Sequence, residues 1–151
     1  MSPERETPDA TIRDAQPTDA SVIVELIREL ARTEDVESGV TTGLVAEYQA
    51  HGDSGILVAE LGDEAVGMLS WFMRPGLFHG GHWGYIDELI VTAAAQGQGV
   101  GDALMSAVMG RFEVAGCIEV AVSTVFGNDR AAALYRKHGL VDEALQLEKH
   151  F

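Results

Sequence analysis

The chain has 151 residues, with 24 acidic side chains against 10 basic ones, a single cysteine and 46% apolar residues. The length suits one domain with an ordinary hydrophobic core, and one cysteine excludes an internal disulfide scaffold. The formal net charge of −14 speaks against nucleic acid, which needs clustered Lys and Arg, and against docking on anionic membranes.

Met1 to Asp9 is polar, with three acids and two prolines; it reads as a disordered tail, neither a signal peptide nor a transit sequence. Residues 10–151 are expected to form one domain. No apolar run approaches the ~20 residues that span a bilayer, so a cytoplasmic protein is expected. Thr11 to Arg13 suits a short strand. Pro17, Thr18 and Asp19 open a helix whose residues Val22, Ile23, Leu26, Ile27 and Leu30 form one apolar stripe. Residues 33–43 predict a mobile connection, and Leu44 to Ala50 a shorter helix.

From Gly55 the period changes. Ile56 to Leu61 and Ala65 to Met73 are apolar runs separated by Gly62-Asp63-Glu64, which predicts a β-hairpin. Residues 75–82 read as a loop, and Trp83 to Val91 as a strand interrupted by Asp87 and Glu88. A glycine-rich turn then opens a helix over about Val100 to Ala115. Ile118 to Val125 predicts a strand, Asn128 to His138 a helix stopped by Gly139, and Ala144 to Glu148 a last strand. The order predicts an α/β domain with a mixed central sheet flanked by about four helices.

The turn Gln96-Gly-Gln-Gly-Val-Gly101 can do chemistry. Backbone N–H groups at a helix start are unpaired and lie at the positive end of the helix dipole, so they suit phosphate. Glycines bring that backbone close to a ligand. The dinucleotide fingerprint fails, because the sixth position counted from Gly97 is Asp102. The P-loop fails as well, for want of a lysine. What fits is Gln-x-x-Gly-x-Gly, carried by Gln96, Gly99 and Gly101. Downstream, Asn128, Ala131, Leu134, Tyr135 and Gly139 fall at Asn-x-x-Ala-x-x-Leu-Tyr…Gly spacing, with Leu140 where a Phe is usual.

Together these motifs resemble the GCN5-related N-acetyltransferase (GNAT) superfamily, and the resemblance runs from residue 11 to about 141. It implies a single GNAT-like domain that uses acetyl-coenzyme A as acyl donor and no metal. Leu89, Ile90 and Val91 would then border the pantetheine arm. Gln96, Gly97, Gln98, Gly99, Val100 and Gly101 would hold the pyrophosphate, with Asn128 and Tyr135 beside the coenzyme. Tyr135 matches the position of the acid that protonates the leaving thiolate. Asp87 and Glu88 are candidates for the base that takes the amine's proton, Glu88 ahead of Asp87, with a water chain as another route. Adjacent strand residues face opposite ways, so one of the two at most is expected to meet the amine directly.

The resemblance implies direct transfer of acetyl to a primary amine in a ternary complex. A small cationic acceptor leads, a peptide or protein amine is the alternative, and a non-catalytic acyl-CoA-binding module is the reading from another class. A homodimer is implied too. Cys117 reads as a small buried hydrophobe, His79 and His82 as loop residues, and the aromatics around them as packing. Glu34, Asp35 and Glu37 read as a solvated acidic loop. The chain's acidity fits either attraction of a cationic amine or an adaptation to salt.

Overall fold

The computed structural model describes residues 10–151, so the expected tail over Met1 to Asp9 lies outside the described residues. Strand β1, Thr11–Asp14, leads into helix α1, Ala20–Thr33. The corner between them is clamped by Asp19, whose carboxylate accepts from both terminal nitrogens of Arg13 at 2.7 and 2.9 Å and from the Gln16 amide at 2.6 Å. That planar, charge-assisted pairing holds the Asp19 carboxyl below the usual aspartate range.

Helix α1 buries Ile23, Val24, Leu26 and Ala31, close to the stripe its spacing predicts. It ends with Asp35 at φ 56°. The Val36 amide reaches back to the Ala31 carbonyl at 3.0 Å and the Asp35 amide to Arg32 at 3.1 Å, a Schellman closure in which Asp stands where Gly is usual. Helix α2, Thr42–Ala50, starts two residues earlier than expected because the Thr41 hydroxyl caps it, accepting from the Leu44 amide at 3.1 Å.

Strands β2, Ser54–Leu61, β3, Glu64–Gly76, and β4, Gly81–Val91, form an antiparallel meander. The predicted loop over 75–82 is a correction: pairing continues through Pro75 with His82 and Gly76 with Gly81, leaving only residues 77–80 as the turn. Arg74 lies 4.5 Å from the Trp83 ring across this extension, a cation–π contact that favours the longer hairpin.

Helix α3, Val100–Val114, carries the chain to β5, Glu119–Val122, which pairs parallel with β4; helix α4, Asp129–Lys137, follows. The sheet is mixed and ordered β1-β2-β3-β4-β5, as expected, with four α-helices among the described residues. On one face α3 and Tyr135 of α4 pack over Leu57, Ala59, Leu69, Trp71 and Ile86. On the other, α1 and α2 cover Ile56, Val58, Met68 and Ile90.

The strand expected over Ala144 to Glu148 does not form. Its alternating residues Leu145 and Leu147 are exposed, and the Gln146 side chain accepts from the Tyr85 hydroxyl at 3.2 Å. Alternation satisfies the local pattern of a strand, but a strand needs a neighbour's backbone to pair with.

Candidate functional site

The sheet opens where β4 and β5 part. Their ladder pairs Trp83–Ile86 with Glu119–Val122, so β4 runs on from Asp87 to Val91 with no strand on that side among the described residues. Backbone N–H and C=O groups facing this gap suit the amides of an extended ligand. A cleft of about 1100 Å³ starts there. Leu89, Ile90 and Val91 form its floor, Gln96, Gly97, Gly99, Val100 and Gly101 one wall, and Asn128, Ala131 and Leu134 the other.

The three glycines of the turn have different tasks. Gly97 and Gly99 sit at φ 78° and 81°, a region that disfavours side chains, and a Cβ on either would meet open space. Gly99 is the residue from which α3 starts, so amides of the first turn are left for a ligand in the cleft. At Gly101 a Cβ would come within 3.1 Å of Leu134, so this glycine permits close packing of α3 on α4.

Asp102, the residue that spoils a dinucleotide fingerprint, takes 2.8 and 3.0 Å contacts from Lys137 and His138 at the end of α4. Those two groups hold its carboxyl below the usual range. Asn128 caps α4, its Oδ1 accepting from the Ala131 amide at 3.1 Å. Of the expected coenzyme contacts, the Gln98 side chain turns away, donating to the Ala94 carbonyl at 3.1 Å.

Arg130 was not singled out by the sequence, and among the described residues it is the one Lys or Arg side chain lining the cleft. Its guanidinium donates to Gln96 Oε1 at 2.7 Å, and Gln96 Nε2 donates to the Val91 carbonyl at 3.1 Å. One side chain thereby ties the end of β4 to the start of α4. A cation at the third position of an Asn-x-Arg-Ala helix start, facing a glycine turn, was the available signal.

Glu88 and Asp87 do not line the large cleft; they precede its floor residue Leu89 on β4. The expectation that they face opposite ways needs correcting. A register slip sets Ser70 against Glu88 but Trp71 against Ile86, leaving Asp87 as the extra residue of a β-bulge. Bulges re-aim side chains. Here Tyr48 of α2 donates to Asp87 Oδ2 at 2.7 Å, and the Ser70 hydroxyl makes a short hydrogen bond to Glu88 Oε2. Burial pushes both carboxyls above their ordinary values, opposed in Asp87 by Tyr48 and in Glu88 by Ser70, while the Asp87 charge raises Glu88 further.

Tyr135 is 8% exposed and lies in the core on the α3 side, one residue beyond the cleft-lining Leu134. Burial pushes its phenol up to about 12. The Cys117 thiol is likewise pushed up by burial, unlike an activated nucleophile. His79 is exposed, 3.4 Å from Glu119. Glu34 and Asp35 line the rim of the large cleft.

A mixed sheet that splits between β4 and β5 over a glycine turn defines an acyltransferase fold. The sequence pattern of the Acetyltransferase (GNAT) family matches residues 23–140, and the chain belongs to that family. Members of the family generally use acetyl-CoA. No curated protein sequence matches the chain. Among solved structures, a transcriptional regulator from Bacillus halodurans C-125 superposes with TM-score 0.84 at 26% identity, over 95% of this chain and 100% of its own. An aminoglycoside acetyltransferase from an uncultured soil metagenomic sample, in complex with trehalose, gives 0.78 at 22% identity, over 94% and 95%. A ribosomal-protein-alanine N-acetyltransferase from Brucella melitensis biovar Abortus 2308 gives 0.80 at 16% identity, over 94% and 99%. Among the described residues no helix is long and apolar enough to cross a membrane.

Proposed function

We propose that this acyltransferase moves the acetyl group of acetyl-CoA to the primary amine of a small cationic molecule, by direct attack in a ternary complex. The observation that carries the reading is the gap between β4 and β5: it joins the glycine turn at one end to the Asp87–Glu88 bulge at the other.

The pantetheine arm of the coenzyme would lie along Leu89–Val91, with the coenzyme's pyrophosphate on the amides of residues 97–101 and on Arg130. Gln98 contributes there through its backbone, and Asn128 by setting the start of α4. An alkylammonium arrives protonated, since its pKa is near ~10.4. Glu88 takes that proton, the amine nitrogen attacks the thioester carbon, a β4 amide stabilises the oxyanion, and the C–N bond forms as the C–S bond breaks. The thiolate takes its proton from Tyr135, and the second proton of the attacking nitrogen, lost as the amide forms, passes through solvent and restores the Tyr135 phenol, while the proton held by Glu88 is released to solvent. Support for that role is a phenol that keeps its proton, buried on the helix whose neighbouring residues line the cleft. Two carboxylates in one bulge also favour a cationic acceptor. Residues 10–151 act as one unit, and the exposed apolar Leu145, Leu147 and Phe151 favour a homodimer.

The test is thiol release from acetyl-CoA with polyamines, aminoglycosides, amino acids and peptides. Turnover with at least one small amine, together with a rise in Tm on adding acetyl-CoA, is the expected result. Turnover with peptides alone would move the acceptor to a protein amine. A rise in Tm without turnover on any amine would leave an acyl-CoA-binding module.

A further inference from the structure

We propose that Ser70 and Tyr48 are positioning residues that divide the labour of the carboxylate pair: Ser70 fixes Glu88 as the base, and Tyr48 fixes Asp87 as the anchor for the incoming ammonium. The inference rests on the acyl-transfer reading for its meaning, but its geometry stands alone.

Ser70 is 2% exposed and sits opposite Glu88 in the β3–β4 register. Its single hydroxyl is used twice. It donates to Glu88 Oε2 and accepts from the Glu88 backbone amide at 3.0 Å. Both ends of Glu88 are therefore held by one buried side chain, and Oε1 is left to receive a proton. A buried hydroxyl facing a carboxylate is costly unless the two are paired, so the arrangement resists rotation of either partner.

Tyr48 acts on the other carboxylate from another element. It lies on α2, and its hydroxyl donates to Asp87 Oδ2 at 2.7 Å. That bond favours the charged form of Asp87, which burial opposes. A charged Asp87 beside Glu88 attracts an ammonium, and it adds to the larger effect of burial in raising Glu88 above its ordinary value. The titratable groups facing Glu88 are Asp87 on its own strand and Tyr48 on α2. The β3 neighbours Ser70 and Met68 are neutral, and α1 packs on this half of the sheet through apolar Ile23, Ile27 and Leu30. Had both carboxylates shared one hydrogen-bond donor, a single substitution would disable both. The two donors sit on different elements, Ser70 on β3 and Tyr48 on α2, so each can be substituted by itself.

The experiment reads the two donors apart. Glu88 is titrated by carboxyl ¹³C NMR in glutamate-labelled full-length protein, wild type, Ser70→Ala and Ser70→Thr, and kcat and KM for the best amine are measured alongside. Ser70→Ala should move the Glu88 midpoint upward, shift the acidic limb of kcat/KM the same way and lower kcat about ten-fold, with KM for the amine within about two-fold. Ser70→Thr, which keeps the hydroxyl, should restore midpoint and rate. Tyr48→Phe should raise KM for the amine about five- to ten-fold with kcat within about two-fold. An unmoved Glu88 midpoint in Ser70→Ala overturns the role of Ser70. A fall in kcat at unchanged KM in Tyr48→Phe overturns the role of Tyr48. A wild-type protein that turns over no amine sinks the proposed function, while the ¹³C titration still decides the positioning of Glu88.

Discussion

Strand β4 carries two adjacent stretches suited to opposite charges. Its C-terminal end, Leu89–Val91, lines the cleft beside a turn whose glycines leave amides free, with the Arg130 guanidinium of α4 facing them. That end suits an anion, and it depends on backbone. The bulge just before it carries two half-buried carboxylates held by Ser70 and Tyr48. That stretch suits a cation, and it depends on side chains. A strand feeding a helix N-terminus provides amides to any ligand that reaches it, whereas two adjacent acids meet one reactant only after the strand is deformed.

The largest expected effect breaks the comparison at the acceptor end. Glu88→Gln should lower kcat by about 10²–10⁴-fold while acetyl-CoA affinity, measured by calorimetry, stays within a few-fold. A parallel loss of coenzyme binding would mean that the two ends are not separate sites. In the unsubstituted enzyme the acidic limb of kcat/KM should lie above the ordinary carboxylate range, because Glu88 works only after losing a proton that burial makes it hold to higher pH. A limb at the ordinary glutamate value would remove Glu88 as base.

At the coenzyme end, Gly99→Ala puts a Cβ at φ 81°. It should destabilise the protein by about 1 kcal/mol and raise KM for acetyl-CoA, with KM for the amine unchanged. A smaller effect is expected from Arg130→Gln, which removes one cation from a site already supplied with amides: a few-fold weaker acetyl-CoA binding and a flatter dependence on salt. The smallest effect sharpens the comparison. Added salt should raise KM for a cationic amine by screening the acidic surface. A rate maintained or increased by salt would instead mark the charge of −14 as an adaptation to salt.

The parts legible in the sequence are those fixed by local rules. Positive φ at Gly97, Gly99 and Gly139 selects glycine, and Asn128 stands where a helix cap is needed, so both hallmark segments can be read from spacing. The hairpin around Gly62 and the apolar stripe of α1 are local for the same reason. The acceptor end was legible only as two acids in an apolar strand. Their partners lie 39 and 18 residues away along the chain, and no period connects Tyr48 to Asp87 or Ser70 to Glu88.

The sequence by itself determined the family, the glycine turn and the pair of acids, because each depends on backbone conformation or residue type within a few positions. Tertiary structure decided the rest. The β3–β4 register created the bulge at Asp87, and the short pairing of β5 with β4 opened the cleft. The approach of α4 brought Arg130 to Gln96, and the lack of a neighbouring backbone left residues 144–148 without a strand. Register and pairing are relations between distant segments, set by which side chains pack best across the whole sheet, and a local pattern does not contain them.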